Sequence, residues 1–427
     1  MSDVTPAGAS RFTDEQIAAI IADNHLLIEA GAGSGKTTTL VEKIVYQLGA
    51  ETAHGRRVAG PCTLDQIVAI TFSNAAAADL KRKLRVRLRQ EGARTGDARW
   101  AAMVYEVDRA PIGTIHGFCG GVLRQNALRL GLDPHFAVLE EHESASLRDE
   151  CAREIMMTAL GEMDATAIAL TVASGLQGAT SLVASVASDA LRARAALDVW
   201  QHDGTARTSA LATRIRDLAT AWDAGEDQTV WQDTTDADAT KLALWVLRAG
   251  CAARELMHQR CDAMGALDFD ALISRTWDAL DGDSSVLAAL HAHLSWVFID
   301  EFQDTDPAQL EIGYRLCGLD MESGATAGVP RLCIIGDPKQ SIYRFRHADV
   351  SVWGKVVQRF AALGIDPVRL TRNFRSRAPI VGLVNATFDG LIGQGRQAVL
   401  DEGHEIPFVA LRAHRDTPGD DGVVEIV

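Results

Sequence analysis

The chain has 427 residues, which is too long for one ordinary hydrophobic core and predicts two or three domains. Its contents of 47% hydrophobic and 23% charged residues are ordinary for a soluble globular protein. The net charge of −15 excludes general electrostatic attraction to nucleic acid, so any such binding must use a local basic surface.

The sequence gives no sign of a targeting segment, a membrane span or a cysteine-bound metal. Residues 1–16 lack the basic start and apolar run of a signal peptide. The most apolar helical stretch, residues 155–174, is interrupted by Glu162 and Asp164 and is too polar to cross a bilayer. The seven cysteines contain no C-x-x-C pair. We therefore expect a cytoplasmic protein with reduced thiols and no membrane partner.

Gln16, just before a helical run over residues 17–21, allows two interpretations. Its side-chain amide pairs a donor with an acceptor, which suits it to read the edge of an adenine. Thr13 with Gln16 also fits a helix capping box. Both interpretations stay open at this point.

A phosphate-binding loop follows a buried strand predicted over residues 25–29. The loop matches G-x-x-x-x-G-K-[ST], except that Ala30 replaces the first glycine. Small residues let the backbone N–H groups face an anion, and the helix N-terminus behind them adds partial positive charge. Lys36 is expected to reach the β- and γ-phosphates of a nucleotide, and the Thr37 hydroxyl to bind Mg²⁺. The predicted nucleotide-binding residues are Ala30, Gly31, Ala32, Gly33, Ser34, Gly35, Lys36, Thr37 and Thr38.

Two later segments offer groups for nucleic acid. Phe72 ends an apolar strand, where an aromatic ring can stack on a base with a contact worth roughly 1–3 kcal/mol. The basic run over residues 81–89 alternates with apolar residues, so a solvated helical face explains it equally well. Thr114 and His116 supply a hydroxyl and an imidazole for phosphate contacts, although a lone histidine in such a setting is more often structural.

A long helical interval separates the phosphate loop from the next motif. Residues 126–264 are rich in alanine, helical in pattern and poor in strand signals, which predicts a helical domain inserted into a nucleotide-binding sheet. The tryptophans of this interval are expected to pack in its core rather than to stack on bases: Trp200, Trp222, Trp231 and Trp245.

A carboxylate cluster follows the apolar strand over residues 297–299. Carboxylates at the C-terminal edge of a parallel sheet can hold a metal and polarise a water. Asp300 is expected to bind Mg²⁺, and Glu301 to orient and deprotonate an attacking water. The alternative, a solvated acidic turn, is disfavoured by the phosphate loop in the same chain. Gln340, just past another strand, is placed to contact the γ-phosphate or the water and to report the state of the nucleotide.

Aromatic and arginine residues alternate over residues 343–346, so that bases can stack while guanidinium groups hold phosphates. Arg375 lies in what reads as a polar loop before a helix over residues 379–388. It is a candidate for stabilising charge on a transferring phosphoryl group, a role worth roughly 10³–10⁵ in rate.

The order of these motifs resembles that of superfamily 1 helicases of the UvrD/Rep type. Six segments are similar to motifs I, Ia, Ib, II, III and IV: residues 30–37, 70–74, 114–119, 297–304, 336–346 and 373–376. The segment DPKQSIYRFR at residues 337–346 is closest to the RecB/AddA branch, and LDFD at residues 267–270 is also similar to that family.

The resemblance implies an α/β fold with a RecA-like P-loop NTPase parallel sheet, an inserted α-helical domain and the start of a second motor domain. The expected bounds are residues 1–125 and 265–370 for the motor domain, 126–264 for the inserted domain and 371–427 for the start of the second. Nothing in the sequence resembles motifs V and VI. The expectation is therefore the N-terminal part of a larger helicase, either a truncated product or one piece of a split enzyme.

The resemblance also implies an ATP- and Mg²⁺-dependent motor that moves 3′ to 5′ on single-stranded DNA, in repair and recombination. Its expected partners are single-stranded DNA or a duplex with a 3′ single-stranded tail, and a nuclease subunit or the missing C-terminal half. By position, Gln16 and Phe374 would hold the adenine. The residues expected to contact DNA are Phe72, Asn74, Thr114, His116, Tyr343, Phe345 and Arg346.

Two other interpretations stay open. The chain can be a fragment that binds ATP and DNA without helicase activity of its own. It can also be a P-loop NTPase unrelated to nucleic acid, which requires the alternation over residues 343–346 to be a coincidence.

Overall fold

The computed structural model describes residues 12–52, 55–188, 236–305, 307–319, 328–341, 351–392 and 408–415. These residues form two compact units. One is drawn from Met1–Gly121 and Thr276–Val427, and the other from Val122–Arg275.

The first unit contains a parallel sheet of six strands, in the spatial order β3-β2-β6-β7-β1-β8. The predicted α/β fold with a parallel sheet is thereby confirmed. The ten strands of the two units are β1 (Leu26–Ala30), β2 (Ile67–Ile70), β3 (Ile112–Gly113), β4 (Ala137–Val138), β5 (Ala266–Leu267), β6 (Trp296–Ile299), β7 (Arg331–Gly336), β8 (Val368–Leu370), β9 (Arg372–Arg377) and β10 (Arg412–Arg415), counted over the described residues.

The central strands β1, β2 and β6 are apolar apart from Glu29 because helices cover the sheet, so alternation between apolar and polar residues is absent. Every residue of β1, β2 and β6 is buried. The register pairs Ile70 with Ile299 and Ile299 with Ile334, while Glu29 pairs with Gly336. The carboxyl ends of these four strands therefore lie along one edge of the sheet, and the loops that follow them meet there.

The described helices are α1 (Asp14–Ile21), α2 (Lys36–Gln47), α3 (Asn74–Thr95), α4 (Ala98–Glu106), α5 (Ile115–Gln125), α6 (Ala127–Leu130), α7 (Glu141–Gly161), α8 (Ala165–Ser188), α9 (Asp236–Ala263), α10 (Phe269–Gly282), α11 (Ser284–His293), α12 (Pro307–Leu316), α13 (Ser351–Ala362) and α14 (Ala378–Ile392). Buried residues of α2, α3 and α4, such as Ile44, Leu84 and Trp100, share one apolar core with the sheet. This packing fixes the helix that begins at Lys36 against the strands whose ends form the candidate site.

The segment that contains Arg375, predicted as a polar loop, is a strand, so that prediction was wrong. Residues of β9 pair in parallel with β10, and Asn373 is buried while Arg372 and Arg375 are exposed. Alternating exposure is typical of a strand at the surface. The segment was predicted as a loop because its composition is polar. Asn385 of α14 holds this pair further, because its side chain exchanges two hydrogen bonds with the backbone of Leu411.

The second unit is built around α7, α8 and α9, whose buried residues form a separate apolar core. The stretch over residues 155–174 is not one helix, since α7 ends at Gly161 and α8 begins at Ala165. Within the described ranges, α8 is the one helix long and apolar enough to cross a membrane by length and composition. Its buried residues, which include Leu170 and Val183, pack in the helical core, and its backbone kinks at Gly175.

Trp245 packs against this core, as predicted. The other three tryptophans named above, Trp200, Trp222 and Trp231, lie outside the described residues.

A buried ion pair joins α9 to the start of α10. Arg254 donates to both carboxylate oxygens of Asp268, at 2.5 and 2.8 Å, and the two residues are 5% and 1% exposed. Asp268 also accepts the Ala271 N–H at 2.8 Å, which caps the first turn of α10. Burial alone would raise the pKa of Asp268, but the Arg254 guanidinium holds that pKa below its ordinary value.

We predict that Asp268→Asn lowers the free energy of unfolding by on the order of 3 kcal/mol, because the buried Arg254 charge loses its closest countercharge and keeps Asp270, which is 3.9 Å away and 52% exposed. Urea unfolding, monitored by hydrogen exchange of the α9 amides, measures the loss of free energy of unfolding. The control is Asp262→Asn. The Asp262 side chain pairs with Arg275 and is 46% exposed. A control loss as large as that of Asp268→Asn would contradict the role given to burial.

Candidate nucleotide site

The phosphate loop joins the last residue of β1 to the first residue of α2. Gly33 and Gly35 have φ angles of 71° and 87°, in the left-handed region that favours glycine. A side chain at Gly35 would also meet Gln16, whose Nε2 lies 2.9 Å from the position of an added Cβ. The loop therefore depends on glycine to turn its backbone into the N-terminus of α2, where an anion is favoured.

Lys36, the first residue of α2, reaches across to the strand end of β6. Its Nζ lies 2.8 Å from Oε2 of Glu301, and the lysine side chain is 11% exposed. The sheet thus brings together the phosphate-loop lysine and the carboxylate cluster that the sequence places 265 positions apart.

Glu301 has a backbone conformation that is rare for a residue other than glycine. Its φ and ψ angles of 51° and 45° are left-handed, a strain that costs about 1–3 kcal/mol. The turn is held by its N–H, which donates to Oδ1 of Asp300 at 3.0 Å. Strain of this size persists where the surrounding structure fixes it, as at catalytic sites and ligand clamps.

The carboxylates at this edge have opposite electrostatic environments. Burial, with the nearby charge of Glu301, raises the pKa of Asp300 to about 6. Burial alone would also raise the pKa of Glu301, but the Lys36 ammonium and the hydrogen bonds from Lys36 and Gln303 hold it below its ordinary value. Burial and the Glu301 charge raise the pKa of Asp304 to about 6. A site that raises carboxylate pKa values in this way favours a cation beside Asp300 and Asp304.

The residues fit a nucleotide with Mg²⁺. Ser34 Oγ and Asp304 Oδ1 are among the buried polar atoms of the described residues that have no hydrogen-bond partner. The Ser34 hydroxyl can therefore donate to a phosphate oxygen, and the Asp304 carboxylate can accept from a bound water. No group of three or more histidine, cysteine or acidic side chains in these ranges forms a closed metal cage. Mg²⁺ is ordinarily bound by one or two carboxylates together with phosphate oxygens and waters, which suits Asp300 with Thr37.

Gln16 forms the capping box that the sequence allowed. Its N–H donates to the Thr13 hydroxyl at 3.2 Å, and its Oε1 accepts from the Thr13 N–H at 3.0 Å. Its Nε2 donates to the carbonyl oxygen of Ser34 at 3.1 Å, so the same side chain also touches the phosphate loop. Adenine recognition by Gln16 stays a prediction.

Lys43, a residue to which the sequence assigned no role, ties α1 to α2. It is fully buried, and its Nζ donates to the carbonyl oxygens of Ala19 and Ala22 at 3.0 and 2.7 Å. The same ammonium lies 4.5 Å from the centre of the Trp296 ring. Burial lowers the pKa of Lys43 to about 8. This contact holds the helix that carries Gln16 against the phosphate-loop helix.

Gln340 lies in the short 3-10 turn Pro338–Gln340 after β7, and its Nε2 donates to Oδ2 of Asp337 at 2.8 Å. Within the described residues, hydrogen bonds connect Gln340 to Glu301 through Asp337 and Gln303 rather than directly. The Asp337 N–H donates to Oε1 of Gln303 at 2.9 Å, and Nε2 of Gln303 donates to Oε2 of Glu301 at 2.8 Å. The sequence did not indicate Gln303.

Glu29 of β1 fixes two neighbouring segments at the same edge. Its carboxylate accepts from Nε of Arg369 at 3.0 Å and from Nζ of Lys339 at 3.4 Å. Lys339 also lies 3.0 Å from Oδ1 of Asp337. Glu29 therefore joins the strand before the phosphate loop to the loop that carries Gln340.

The β9 segment packs directly on the phosphate loop. The Phe374 N–H donates to the carbonyl oxygen of Gly33 at 2.8 Å, and Nδ2 of Asn373 donates to that of Ala32 at 2.7 Å. The Phe374 ring lies 4.7 Å from that of His414, centre to centre. Arg375 is exposed next to the loop, since a Cβ at Gly33 would lie 2.8 Å from the Arg375 Cβ. The contact of Asn373 with the phosphate loop was not predicted, because a short polar side chain in a polar segment carries no distinctive signal.

The predicted DNA-contact residues of the first unit follow two adjacent strands. Phe72 is 37% exposed after β2, and Asn74 is exposed at the start of α3. The Thr114 hydroxyl accepts the Gly117 N–H at 3.3 Å in the turn after β3, and burial lowers the pKa of His116. Pairing of β2 with β3 brings these four residues to one edge. The remaining predicted DNA contacts, Tyr343, Phe345 and Arg346, lie outside the described residues.

Much of the basic run on α3 is neutralised by acidic partners. Arg87 lies 2.8 Å from Glu42 and 2.9 Å from Glu91, which is 1% exposed. Lys83 lies 2.8 Å from Asp79. These pairs favour a structural interpretation of the run.

Comparison with known proteins gives a family and several relatives. A family model described as the UvrD/REP helicase N-terminal domain matches residues 12–361. The chain is 26% identical to an ATP-dependent helicase/nuclease protein of Geobacillus thermodenitrificans, over 99% of the chain and 42% of that protein. It is 28% identical to the "ATP-dependent DNA helicase UvrD1" of Mycobacterium tuberculosis, over 84% of the chain and 37% of that protein. The chain therefore spans about two fifths of the length of these relatives.

We predict that Asp300→Asn stabilises the protein without ligands. The folded pKa of about 6 lies above the ordinary value of 3.8, so the charged carboxylate destabilises the fold above pH 6. This penalty fades as the pH falls through 6 toward 4, because the folded state then binds the proton first. The gain should be on the order of 3 kcal/mol at pH 7.5 and about half of that at pH 5.

Urea unfolding of the variant and the wild type at the two pH values measures this difference. Asp366→Asn, at an exposed carboxyl, is the control and should change the free energy of unfolding by less than about 0.5 kcal/mol. A destabilised Asp300→Asn variant at pH 7.5 would contradict the assigned burial penalty.

Proposed function

Because the chain belongs to the UvrD/REP helicase family through its match over residues 12–361, we propose that it is the ATP-binding part of a DNA helicase. The observation that carries this proposal is the 2.8 Å contact between the phosphate-loop lysine, Lys36, and Glu301 at the end of β6. It sets a phosphate-binding cation and a general base side by side at the sheet edge where such sites lie.

The residues of the site have complementary roles in hydrolysis. Lys36 and the backbone N–H groups at the start of α2 hold the β- and γ-phosphates of ATP, and Thr37 with Asp300 holds Mg²⁺. Bound Mg²⁺ neutralises charge on the phosphates. Glu301 orients the attacking water and accepts its proton, while Arg375 stabilises negative charge on the transferring group.

The base of the nucleotide is held from two sides in this proposal. Gln16 is attached to the phosphate loop through the Ser34 carbonyl, and Phe374 is attached through the Gly33 carbonyl. Both therefore start from positions next to the loop that binds the phosphates. Gln340 reports the state of the γ-phosphate to the aromatic and arginine residues that follow it.

The proposed motor moves 3′ to 5′ on single-stranded DNA or on a duplex with a 3′ single-stranded tail, in repair and recombination. The motif order, through its resemblance to UvrD/Rep-type helicases, supports this direction and pathway. The names of the relatives support ATP-dependent helicase activity. A nuclease subunit or a C-terminal half is the proposed partner, and the word nuclease in the name of the Geobacillus relative supports the former. We place the protein in the cytoplasm.

The proposed domains are the ATP-binding motor (residues 1–125 and 265–370), the inserted helical domain (126–264) and the start of the second motor domain (371–427). Two observations support the inserted domain and one supports the start of a second motor domain, while residues 276–427 and 1–121 fall in one compact unit. The six-stranded sheet lies in the unit from Met1–Gly121 and Thr276–Val427, α7 to α9 have a core of their own, and β9 and β10 form a sheet separate from the central one.

We predict ATP hydrolysis stimulated by single-stranded DNA, and its loss by roughly 10²-fold or more in Lys36→Ala and in Glu301→Gln. The first change removes the phosphate-binding charge, and the second removes the proton acceptor. Steady-state phosphate release, with and without single-stranded DNA, measures both effects. Lys355→Ala, on the exposed face of α13, is the control and should leave the rate unchanged.

The same experiment separates the proposal from its alternative. No phosphate release, with or without DNA, would favour the alternative of a fragment that binds ATP and DNA without helicase activity of its own. Turnover that ignores DNA would favour a P-loop NTPase unrelated to nucleic acid.

We predict that Phe72→Ala weakens single-stranded DNA binding by roughly 1–3 kcal/mol, because a stacking ring at the end of β2 is lost. ATP binding should not change, since Phe72 lies outside the phosphate loop. Fluorescence anisotropy with labelled single strands measures the loss. The control is Tyr105→Ala on α4, whose ring is 82% exposed; equal DNA affinity in the two variants would contradict the stacking role.

A further inference from the structure

Gln303 lies buried between the two strand ends that carry Glu301 and Gln340. It belongs to the short 3-10 turn Phe302–Asp304 and is 6% exposed. Its Nε2 donates to Oε2 of Glu301 at 2.8 Å, and its Oε1 accepts from the Asp337 N–H at 2.9 Å. One side-chain amide therefore spans the ends of β6 and β7.

The two ends of this amide are not interchangeable. The Glu301 carboxylate only accepts hydrogen bonds and the Asp337 N–H only donates one, so the partners fix which end faces which. A glutamate in place of Gln303 would keep the acceptor for Asp337 but set a second negative charge against Glu301. A leucine would leave the Asp337 N–H without its acceptor. The position therefore needs one donor and one acceptor on a side chain of this length.

The surrounding structure is shaped to hold the amide. A Cβ at Gly336 would lie 2.8 Å from Oε1 of Gln303 and 2.9 Å from the Trp353 ring, so the end of β7 needs glycine for this approach. The Ser341 hydroxyl donates to the backbone carbonyl of Gln303 at 3.1 Å. Both the side chain and the backbone of Gln303 are thus fixed to the segment that follows β7.

The same segment carries the predicted nucleotide sensor. Oδ2 of Asp337 accepts from Nε2 of Gln340 at 2.8 Å, and Oδ1 of Asp337 accepts from the Lys339 N–H at 3.2 Å. A continuous path therefore leads from Glu301 through Gln303 and Asp337 to Gln340.

We propose that Gln303 is a positioning residue that orients the Glu301 carboxylate and couples it to the loop carrying Gln340. This inference rests on the proposed ATPase function. Lys36 and Gln303 both donate to Oε2 of Glu301. When the Lys36 ammonium binds a phosphate instead, Gln303 still donates to Oε2 of Glu301. Oε1 of Glu301 takes part in neither hydrogen bond, so it accepts from the attacking water. A movement of the Glu301 carboxylate is then transmitted through Gln303 to Asp337 and Gln340.

The first test is hydrogen–deuterium exchange of the wild type, Gln303→Leu and Gln90→Leu, with and without Mg²⁺ and ATPγS. Gln90 is an exposed glutamine on α3 and serves as the matched control. Without nucleotide, the Asp337 amide should exchange about tenfold faster or more in Gln303→Leu, because its acceptor is gone. With nucleotide, residues 31–38 should be protected in all three proteins, while the response of residues 337–341 should vanish in Gln303→Leu alone.

A second variant separates the two halves of the amide. Gln303→Glu keeps an acceptor for the Asp337 N–H and loses the donor to Glu301. The Asp337 amide should therefore stay protected while kcat falls about 10- to 100-fold with little change in KM for ATP. A purely structural role would instead raise exchange across the turn and weaken nucleotide binding together with turnover.

The outcomes distinguish this inference from the function on which it rests. No protection of residues 31–38 in the wild type would overturn the proposed nucleotide site and the coupling with it. Protection there, with an unchanged response of residues 337–341 in Gln303→Leu, would overturn the coupling alone. Hydrolysis of ATP by Gln303→Glu at the wild-type rate would also overturn the coupling alone.

Discussion

The contact between the Lys36 ammonium and the Glu301 carboxylate depends on the register of a parallel sheet. Lys36 begins the helix after β1 and Glu301 follows β6, and β7 lies between these strands. A shift of one residue in either pairing would turn every side chain of a strand to the other face. Both faces of the central strands are buried, so such a shift would set side chains of other sizes against the packing on each face. The core thereby sets the geometry of the site.

The site concentrates features that oppose stability. Glu301 is held in a left-handed backbone conformation, and burial raises the pKa values of Asp300 and Asp304 to about 6. Hydrogen bonds from Lys36 and Gln303 hold the Glu301 carboxylate in place. A bound cation would relieve the buried negative charge, so the arrangement is suited to ligand binding rather than to maximal stability.

The sequence predicted the parts of the site that local chemistry determines. The glycines and Lys36 of the phosphate loop, and Asp300 with Glu301 after an apolar strand, follow from spacing and residue type. Gln303, Asn373, Lys43 and Glu29 could not be predicted in the same way, because their roles depend on partners brought near by strand register and helix packing. Polar composition also hid strand β9, whose partner β10 lies about forty residues further on.

The most direct test of this account is calorimetric titration of the protein with ATPγS, with and without Mg²⁺. The sheet edge described above predicts saturable binding of one nucleotide per chain, weakened about tenfold or more when Mg²⁺ is removed, because Asp300 then faces the phosphates without an intervening cation. Binding that is indifferent to Mg²⁺, or no saturable binding at millimolar nucleotide, would contradict it.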